Sequence, residues 1–412
     1  MMTSAKFKRA VLTTASAAFF LVAATQPLTA NAQEAVRPEI GKPLQAASAL
    51  IKSGKFKDAL AKIRETDAVG GKTPNEIYLI ESTRGSAASG AGDNDGIIKS
   101  YEAIVASGKA PAATQIKLIE ALAGAYYRAK DYPATNKWAT RYLKEGGSNS
   151  QIRTLLIQSY FQSGDFANAA KESLADIQAD EKAGRTPSEE KLQLLANSYL
   201  RQKNTAGYIS TIEKLLNYYP KKSLWADVIS RLQRKPGFAD RLGIDVYRMQ
   251  LATGNLTAAN DFMEMSQLAL QAGLPGEAKK VVDEGYATGA LGKGAEVDRQ
   301  KRLKDLVEKR VAENQKVIGA ADEATAKSAK DGNALFNLGH NLFTSGQAPK
   351  GISLMEEGIK KGDLKRPDDA ALRLGTALVQ SGQKAKGVQV LKGIKGTDGT
   401  QDLANLWIIF AR

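Results

Sequence analysis

The stretch Gln151–Ile177 reads QIRTLLIQSYFQSGDFANAAKESLADI and holds two apolar patterns on either side of one turn. Before the turn, Leu156 and Tyr160 lie four residues apart, a spacing that places both on one face of a helix. After the turn at Gly164, Phe166 and two alanines begin a second face that another helix can approach closely. The pattern predicts an antiparallel helix pair whose apolar stripes are too wide for the pair to bury alone. Such a pair stacks on further copies of itself.

The rest of the chain supplies these copies. Aromatic residues make up 7% of the 412 residues and no long alternating Val/Ile/Thr run occurs, so we expect an almost entirely helical protein. The turns recur with a period of roughly 33–39 residues, in the range of two-helix solenoid repeats. Predicted pairs cover residues 44–64, 75–106, 113–144, 151–177, 188–219, 224–252 and 258–287, and two more begin at residues 333 and 368.

The first 32 residues have the order of a secretory signal peptide. Basic residues at positions 6, 8 and 9 precede an apolar run over residues 10–24, and small residues at 30–32 offer a cleavage site. A membrane anchor is the alternative, but Thr13, Thr14 and Ser16 interrupt a run that is short for a bilayer. We therefore predict cleavage after Ala32 and a periplasmic or secreted protein. No transmembrane span is expected in the mature chain.

Cysteine usage and charge restrict the chemistry and the partners. The absence of cysteine excludes disulfides and thiolate metal sites, and it suits an oxidising periplasm. The formal net charge is +14 at pH 7. For an exported protein this excess favours acidic proteins, envelope polymers or anionic lipids as partners, and nucleic acid is not expected. The alternative is that the lysines simply solvate the helix faces.

Matching positions of the repeats carry the same kinds of residue. A large apolar residue is followed by a small one and, three positions later, by an aromatic one, and a glycine lies in most turns. The large apolar residues are Leu122, Leu156, Leu195, Leu338 and Leu374; the aromatic residues are Tyr126, Tyr160 and Tyr199; and the turn glycines are Gly54, Gly164, Gly273, Gly346 and Gly382. In these positions the chain resembles the tetratricopeptide repeat (TPR), a helix–turn–helix unit of about 34 residues.

The resemblance covers nearly all of residues 43–396, in the style of exported TPR proteins of Gram-negative bacteria. It implies an all-α fold, a right-handed α-α superhelical solenoid of TPR-like helix–turn–helix repeats. Some units depart from the pattern. Ile157 replaces the small residue, Leu342 and Leu378 replace the aromatic residue, and Lys130 and Lys203 replace the turn glycine. The units around Pro236 and Gly319 match poorly, so the sequence leaves their register open.

The repeats and their interruptions predict five segments. Residues 1–32 are the signal peptide and residues 33–42 a flexible tail. Residues 43–290 hold N-terminal TPR-like repeats, and residues 291–330 hold a hinge and a charged helix. Residues 331–412 hold C-terminal TPR-like repeats with a capping helix, for which the apolar run DLANLWIIF is the candidate. The hinge rests on three glycines near Gly292, and the sequence leaves open whether it divides the repeats into two arms.

Catalytic motifs are absent from the sequence. The chain has one histidine, no Gly-x-Ser-x-Gly elbow and no phosphate-binding glycine loop that ends in Lys-Ser/Thr. His340 alone cannot build a transition-metal site. We therefore predict a protein that is not an enzyme, with no catalytic residue, cofactor or metal site.

In the TPR family, peptide ligands lie in a concave groove lined by the first helices of the repeats. Carried over position by position, the resemblance implies a partner-binding groove that combines cations, amides and aromatic rings. Its residues are Lys117, Tyr127, Arg128, Gln158, Phe161, Asn197, Arg201, Asn333, His340 and Phe343. Such a surface suits an extended acidic segment, or one that ends in a carboxylate, held by charge-assisted hydrogen bonds.

The sequence thus favours an exported, non-catalytic scaffold for protein–protein interaction, and two alternatives stay open. One is a module directed at envelope polysaccharide or peptidoglycan, for which Tyr127 and Phe161 would be exposed stacking platforms. The other is an enzyme with an unfamiliar site, which would require perturbed carboxylates that converge in one pocket.

Overall fold

The structure is a computed structural model that describes residues 36–318 and 320–412. The predicted signal peptide and its cleavage site after Ala32 lie outside the described residues. The described part of the chain consists of α-helices, two short 3-10 helices and connecting turns, with no strand. The predicted class, an all-α solenoid of TPR-like helix–turn–helix repeats, is confirmed.

The chain divides into two compact units with a boundary between Glu172 and Ser173; of the described residues, those before the boundary form the N-terminal unit and those after it the C-terminal unit. The first helices are α1 (Pro38–Lys52), α2 (Phe56–Arg64), α3 (Pro74–Ala91), α4 (Asn94–Ser107), α5 (Ala112–Arg128), α6 (Tyr132–Lys144), α7 (Ser150–Gln162) and α8 (Phe166–Lys182). The next are α9 (Glu189–Arg201), α10 (Thr205–Tyr218), α11 (Lys222–Gln233), α12 (Gly243–Ala252), α13 (Ala259–Gln271), α14 (Pro275–Ala287) and α15 (Val297–Val317). The last are α16 (Ala320–Ser328), α17 (Asn333–Thr344), α18 (Ala348–Lys361), α19 (Pro367–Gln380), α20 (Lys384–Lys392) and α21 (Thr400–Phe410).

In the N-terminal unit each helix from α1 to α6 packs on the next, so that the pairs α1–α2, α3–α4 and α5–α6 stack in chain order. The repeated apolar positions form the core between them. Leu122, at a seventh repeat position, is fully buried beside Ala123 and packs in one cluster with Trp138 and Tyr142 of the following helix. This cluster explains why the repeat needs a large residue followed by a small one. The large side chain fills the space between the two helices of a pair, and the small one lets the neighbouring helix approach.

Within the tail expected over residues 33–42, the described residues 38–42 are helical. Helix α1 begins at Pro38, where the missing N–H is not needed, and Ile40 is fully buried. The guanidinium of Arg37 donates to both carboxylate oxygens of Glu76, with Nε to Oε1 at 2.8 Å and Nη2 to Oε2 at 2.7 Å. This pair and the backbone N–H of Thr73 hold the pKa of Glu76 at about 2. Pro38 therefore begins a helix here, and Pro43 lies inside it, instead of the two prolines marking a loose tail.

In the C-terminal unit the backbones of α17 and α18 approach each other closely, and glycines make this approach possible. A Cβ on Gly339 would lie 2.6 Å from the carbonyl oxygen of Gly351 and 2.6 Å from the backbone nitrogen of Met355. Gly358 meets the backbone of Gly332 and Phe336 in the same way. At Gly339, where the TPR pattern requires a small residue, the packing of the pair leaves room only for glycine.

The unit around Pro236 departs from the sequence prediction. A second helix was expected over residues 238–252, but α12 begins five residues later, at Gly243. Gly237 adopts a φ of +83°, and the short 3-10 helix Asp240–Leu242 precedes α12. The backbone N–H of Ala239 donates to the carbonyl oxygen of Asp398 at 2.9 Å. The segment before α12 is therefore shaped by a contact with a distant part of the chain.

That contact belongs to a closure of the C-terminal unit on itself. Helix α21 packs on α19 and α20, and it also contacts α10 and α12. Ion pairs fix the junction, because Lys235 binds Asp402 at 2.8 Å and Arg241 binds both Asp369 at 2.8 Å and Asp398 at 2.5 Å. The last helix therefore covers the last pair and also joins the late repeats of this unit to its early repeats.

The glycine-rich segment 288–295, expected as a hinge, packs against its neighbours. Leu291 is buried, and the N–H of Gly292 donates to Oε1 of Gln300 at 2.7 Å. The following helix α15 spans the predicted charged helix, and its Leu303 and Val307 join the same core cluster. Across the described residues, no helix combines the length and the apolar character needed to cross a membrane.

Candidate functional site

Five of the predicted groove residues lie on the first helices α5 and α7 of the N-terminal unit. Together they are called the α5–α7 surface here. They are Lys117, Tyr127, Arg128, Gln158 and Phe161. The hydroxyl of Tyr127 donates to Oε1 of Gln158 at 3.2 Å, so that the two helices are joined at this surface.

The two aromatic rings of the α5–α7 surface are held in place by neighbouring rings. Tyr127 meets Tyr132 edge to face with 6.0 Å between ring centroids, and Phe161 meets Phe166 in the same way at 5.3 Å. Both Tyr127 and Phe161 are half-buried, and burial raises the pKa of the Tyr127 hydroxyl. Each ring is therefore fixed by packing while part of it faces solvent, which lowers the entropy cost of placing a partner on it.

The cations of this surface carry charge toward solvent. Lys117 is exposed and makes no ion pair within the part of the chain that the structure describes. Arg128 is exposed as well, and its Nη2 lies 3.4 Å from the amide oxygen of Asn94, a neutral partner. The nearby Glu120 accepts a hydrogen bond from Asn149 at 2.6 Å. The α5–α7 surface thus combines two cations, an amide and two fixed rings.

The remaining predicted residues lie in the C-terminal unit. Asn197 and Arg201 are exposed and one turn apart on α9. On α17, the amide of Asn333 donates to the carbonyl of Asp363 at 3.2 Å and accepts from the N–H of Lys365 at 3.1 Å. Asn333 therefore holds the loop after α18.

His340 and Phe343 border a cavity of about 290 Å³ in the C-terminal unit. The cavity lies among α12, α14, α17 and α19, and it is called the α12–α19 cavity here. Its lining also includes Arg248, Lys280 and Arg373. Sequence reasoning did not find these three cations, because the repeat spacing carries no signal for the closure that brings α12 and α19 together.

An ion network forms one side of the α12–α19 cavity. Arg248 donates to Asp245 at 2.6 Å and binds both oxygens of Glu277, with Nε to Oε1 at 2.7 Å and Nη2 to Oε2 at 2.6 Å. Arg373 reaches the other oxygen of Asp245 at 3.1 Å. Burial alone would raise the pKa of Asp245, but the two arginines outweigh it and the pKa is lowered. The carboxylate therefore stays ionised in the interior.

The same surroundings keep His340 neutral. Its side chain is buried, with its ring centroid 6.2 Å from that of Phe336. Burial, followed by the positive charges of Arg248 and Arg373, lowers the pKa of His340 well below its usual value. No group of three or more His, Cys, Asp or Glu within residues 36–318 and 320–412 has the geometry to hold a metal ion.

Comparisons with known proteins assign no family to this chain. No family model matches the chain, and no curated protein does. The chain is similar to a chain of the Naa15/Naa10 complex bound to HypK-THB, with 15% identity and a TM-score of 0.31, over 89% of this chain and 59% of that one. It is similar to the pentatricopeptide repeat protein PPR10 from maize, with 13% identity and a TM-score of 0.28, over 88% of this chain and 60% of that one. For yeast Tom70 the identity is 10% and the TM-score 0.22, over 89% of this chain and 94% of that one. At these values the likenesses carry no argument about function.

Proposed function

We propose that this protein is a non-catalytic scaffold that binds an extended segment of another protein on the α5–α7 surface. The observation that supports this most directly is the pair of half-buried rings, Tyr127 and Phe161, fixed on consecutive first helices and flanked by exposed cations. A surface that is ordered before binding loses little side-chain entropy when a flexible segment settles on it. Aromatic anchors surrounded by polar groups are the usual composition of strong protein contacts.

The charge of the surface favours an acidic segment or a C-terminal carboxylate. Lys117 and Arg128 supply two positive charges, and the exposed amide of Gln158, whose oxygen accepts from the Tyr127 hydroxyl, is a further hydrogen-bonding group. A carboxylate accepts charge-assisted hydrogen bonds from such groups. We also propose that the protein acts in the periplasm after cleavage at Ala32, since the first 32 residues have the order of a signal peptide.

The test is selection of a displayed library of random 12-residue peptides on the full chain, followed by affinity measurement with one labelled selected peptide. We expect acidic peptides, and at least tenfold weaker binding to the double variant Lys117→Glu, Arg128→Glu. The matched control is Lys144→Glu, Lys171→Glu, which makes the same charge change at exposed positions on α6 and α8. Equal loss in both variants would overturn the assignment of the surface.

Peptidoglycan and acidic polysaccharide are the second probe. Retention of the full chain on peptidoglycan, abolished by Tyr127→Ala and Phe161→Ala and without any peptide selected, would replace this proposal with the carbohydrate alternative. Mass spectrometry of the secreted chain tests the location, because cleavage after Ala32 leaves an N-terminus at Gln33.

A further inference from the structure

The α12–α19 cavity has an excess of positive charge on its lining. Arg248, Arg373 and Lys280 face it, and Glu277 is the acidic side chain among its described lining residues. Asp245 does not line the cavity, but it pairs with both arginines and so neutralises one further positive charge. Three cations and two carboxylates leave an excess of one positive charge.

The two arginines also retain hydrogen-bonding capacity. Arg248 uses three of the five N–H groups of a guanidinium on Asp245 and Glu277. Arg373 directs two of its N–H groups at Asp245. The other N–H groups of both side chains have no carboxylate partner in this network. Because Asp245 and Glu277 hold Arg248 rigidly, and Arg248 is 6% exposed, its donors are already positioned in a region of low water content.

The remaining lining is apolar or carries hydroxyl groups. Leu251, Val281 and Phe343 supply apolar surface, and Thr344 and Thr376 supply hydroxyl groups. The volume of about 290 Å³ lies at the lower end of the range of small-molecule pockets, which begins at about 300 Å³. The cavity therefore has room for a small organic molecule and not for a length of peptide.

We propose that the α12–α19 cavity binds a small organic oxyanion, a carboxylate or phosphate carried on an apolar body. Arg373 and Lys280 are its charge partners, and the apolar lining covers its body. This site is separate in residues and in ligand class from the proposed protein-binding surface. A cationic ligand would meet the excess positive charge, and a neutral one would accept no charge-assisted hydrogen bond of carboxylate or phosphate strength from Arg373 or Lys280. The neutral state of His340 adds no further charge to the lining.

The experiment is isothermal titration calorimetry of the full chain with benzoate, phenyl phosphate and benzamide. Benzoate and phenyl phosphate distinguish the two oxyanion chemistries, and benzamide has the size of benzoate without its charge. We expect at least one of the two anions to bind, with benzamide at least tenfold weaker. We expect Arg373→Gln to weaken anion binding at least tenfold and Lys280→Met several-fold.

The matched control is Lys279→Met, since Lys279 pairs with Asp283 and does not line the cavity. It should keep the affinity of the unsubstituted chain. If Arg373→Gln fails to fold, Lys280→Met and Thr376→Val decide, because both alter the lining and neither touches the ion network. No heat from either anion at millimolar concentration, equal binding of benzamide, or equal losses in the Lys279 and Lys280 variants would each overturn the proposal.

Discussion

At the scale of single residues, burial and nearby charges shift the pKa values of two groups of the C-terminal unit in opposite directions. His340 lies in the interior beside two arginines, which lowers its pKa. The pKa of Glu213 on α10 is raised instead. Burial and the nearby Asp402 raise its pKa to about 7, against the opposing effect of Lys235. Neither shift could be predicted from the sequence, because each depends on helices that meet only through closure of the unit.

His340 should make the C-terminal unit less stable in acid. Below the unfolded pKa of about 6.5, the unfolded chain takes up a proton that the folded imidazole does not. The free energy of unfolding then falls by about 1.4 kcal/mol per pH unit until the folded pKa is reached. Urea unfolding between pH 5 and 7 checks this, and His340→Gln should remove that part of the dependence. An imidazole resonance that titrates near pH 6.5 in the folded protein would contradict it.

Glu213 should have the opposite effect on the free energy of unfolding, over nearly the same pH range. Its folded pKa of about 7 exceeds the ordinary 4.5, so the folded state holds the proton more tightly. The stability that this proton contributes is therefore fully present below pH 4.5 and is lost as the pH rises to about 7, an amount on the order of 3 kcal/mol. Glu213→Gln should be more stable than the unsubstituted chain at pH 8 and should lose this slope. An unchanged slope in this variant would show that the α10–α21 contact does not bury the carboxyl.

At the scale of elements, the helix pairs could be predicted because their determinants are local. The first pair shows this, since α1 ends at Lys52 and α2 begins at Phe56, as the spacing indicates, around Gly54 with a φ of +74°. The predicted start of α12 was wrong because a distant segment shapes the backbone there: the N–H of Ala239 donates to the carbonyl oxygen of Asp398. For the candidate site, repeat position placed Tyr127 and Phe161 on first helices and an aromatic residue after each turn, at Tyr132 and Phe166, but it did not indicate that these rings meet.

The α17–α18 pair should tolerate no side chain at Gly339. A methyl group there would meet backbone atoms of α18 at 2.6 Å, and backbone cannot move aside as a side chain does. We expect Gly339→Ala to lower the free energy of unfolding by about 2–3 kcal/mol. The control is Gly243→Ala at the start of α12, where a Cβ meets nothing within 4 Å. Chemical denaturation compares the two, and equal effects would contradict the close packing of this pair.

At the scale of the whole molecule, each unit is a stack of repeats, and the C-terminal unit also closes on itself. Local periodicity predicted the stack, but it holds no information on which late helix returns to which early one. The junction is formed by charged residues, Lys235 and Arg241 on one side and Asp369, Asp398 and Asp402 on the other. In the sequence such residues are indistinguishable from those that solvate exposed helix faces. The α12–α19 cavity was missed for the same reason.

Arg241 should be a main support of this closure. Asp369 is 4% exposed, and Arg241→Met would leave its carboxylate buried without a cation. Because the arginine itself is partly exposed, we expect a loss of about 2 kcal/mol, below the 3–5 kcal/mol typical of fully buried pairs. Arg299→Met breaks an exposed pair with Glu296 and should have almost no effect. Adding Asp369→Asn to Arg241→Met should recover part of the loss, and a simple sum of the two effects would show that the pair does not couple.

The closure itself is tested most directly by a distance measurement between spin labels at Arg234→Cys and Lys395→Cys. The absence of native cysteine makes the labelling specific. Chain reach from the bond between Ala239 and Asp398 limits the separation of these two backbones to about 35 Å. We predict a single narrow distribution of distances within that reach, allowing for the label arms. A broad distribution, or one centred well beyond it, would show that the repeats of this unit form an open stack and that the α12–α19 cavity does not exist.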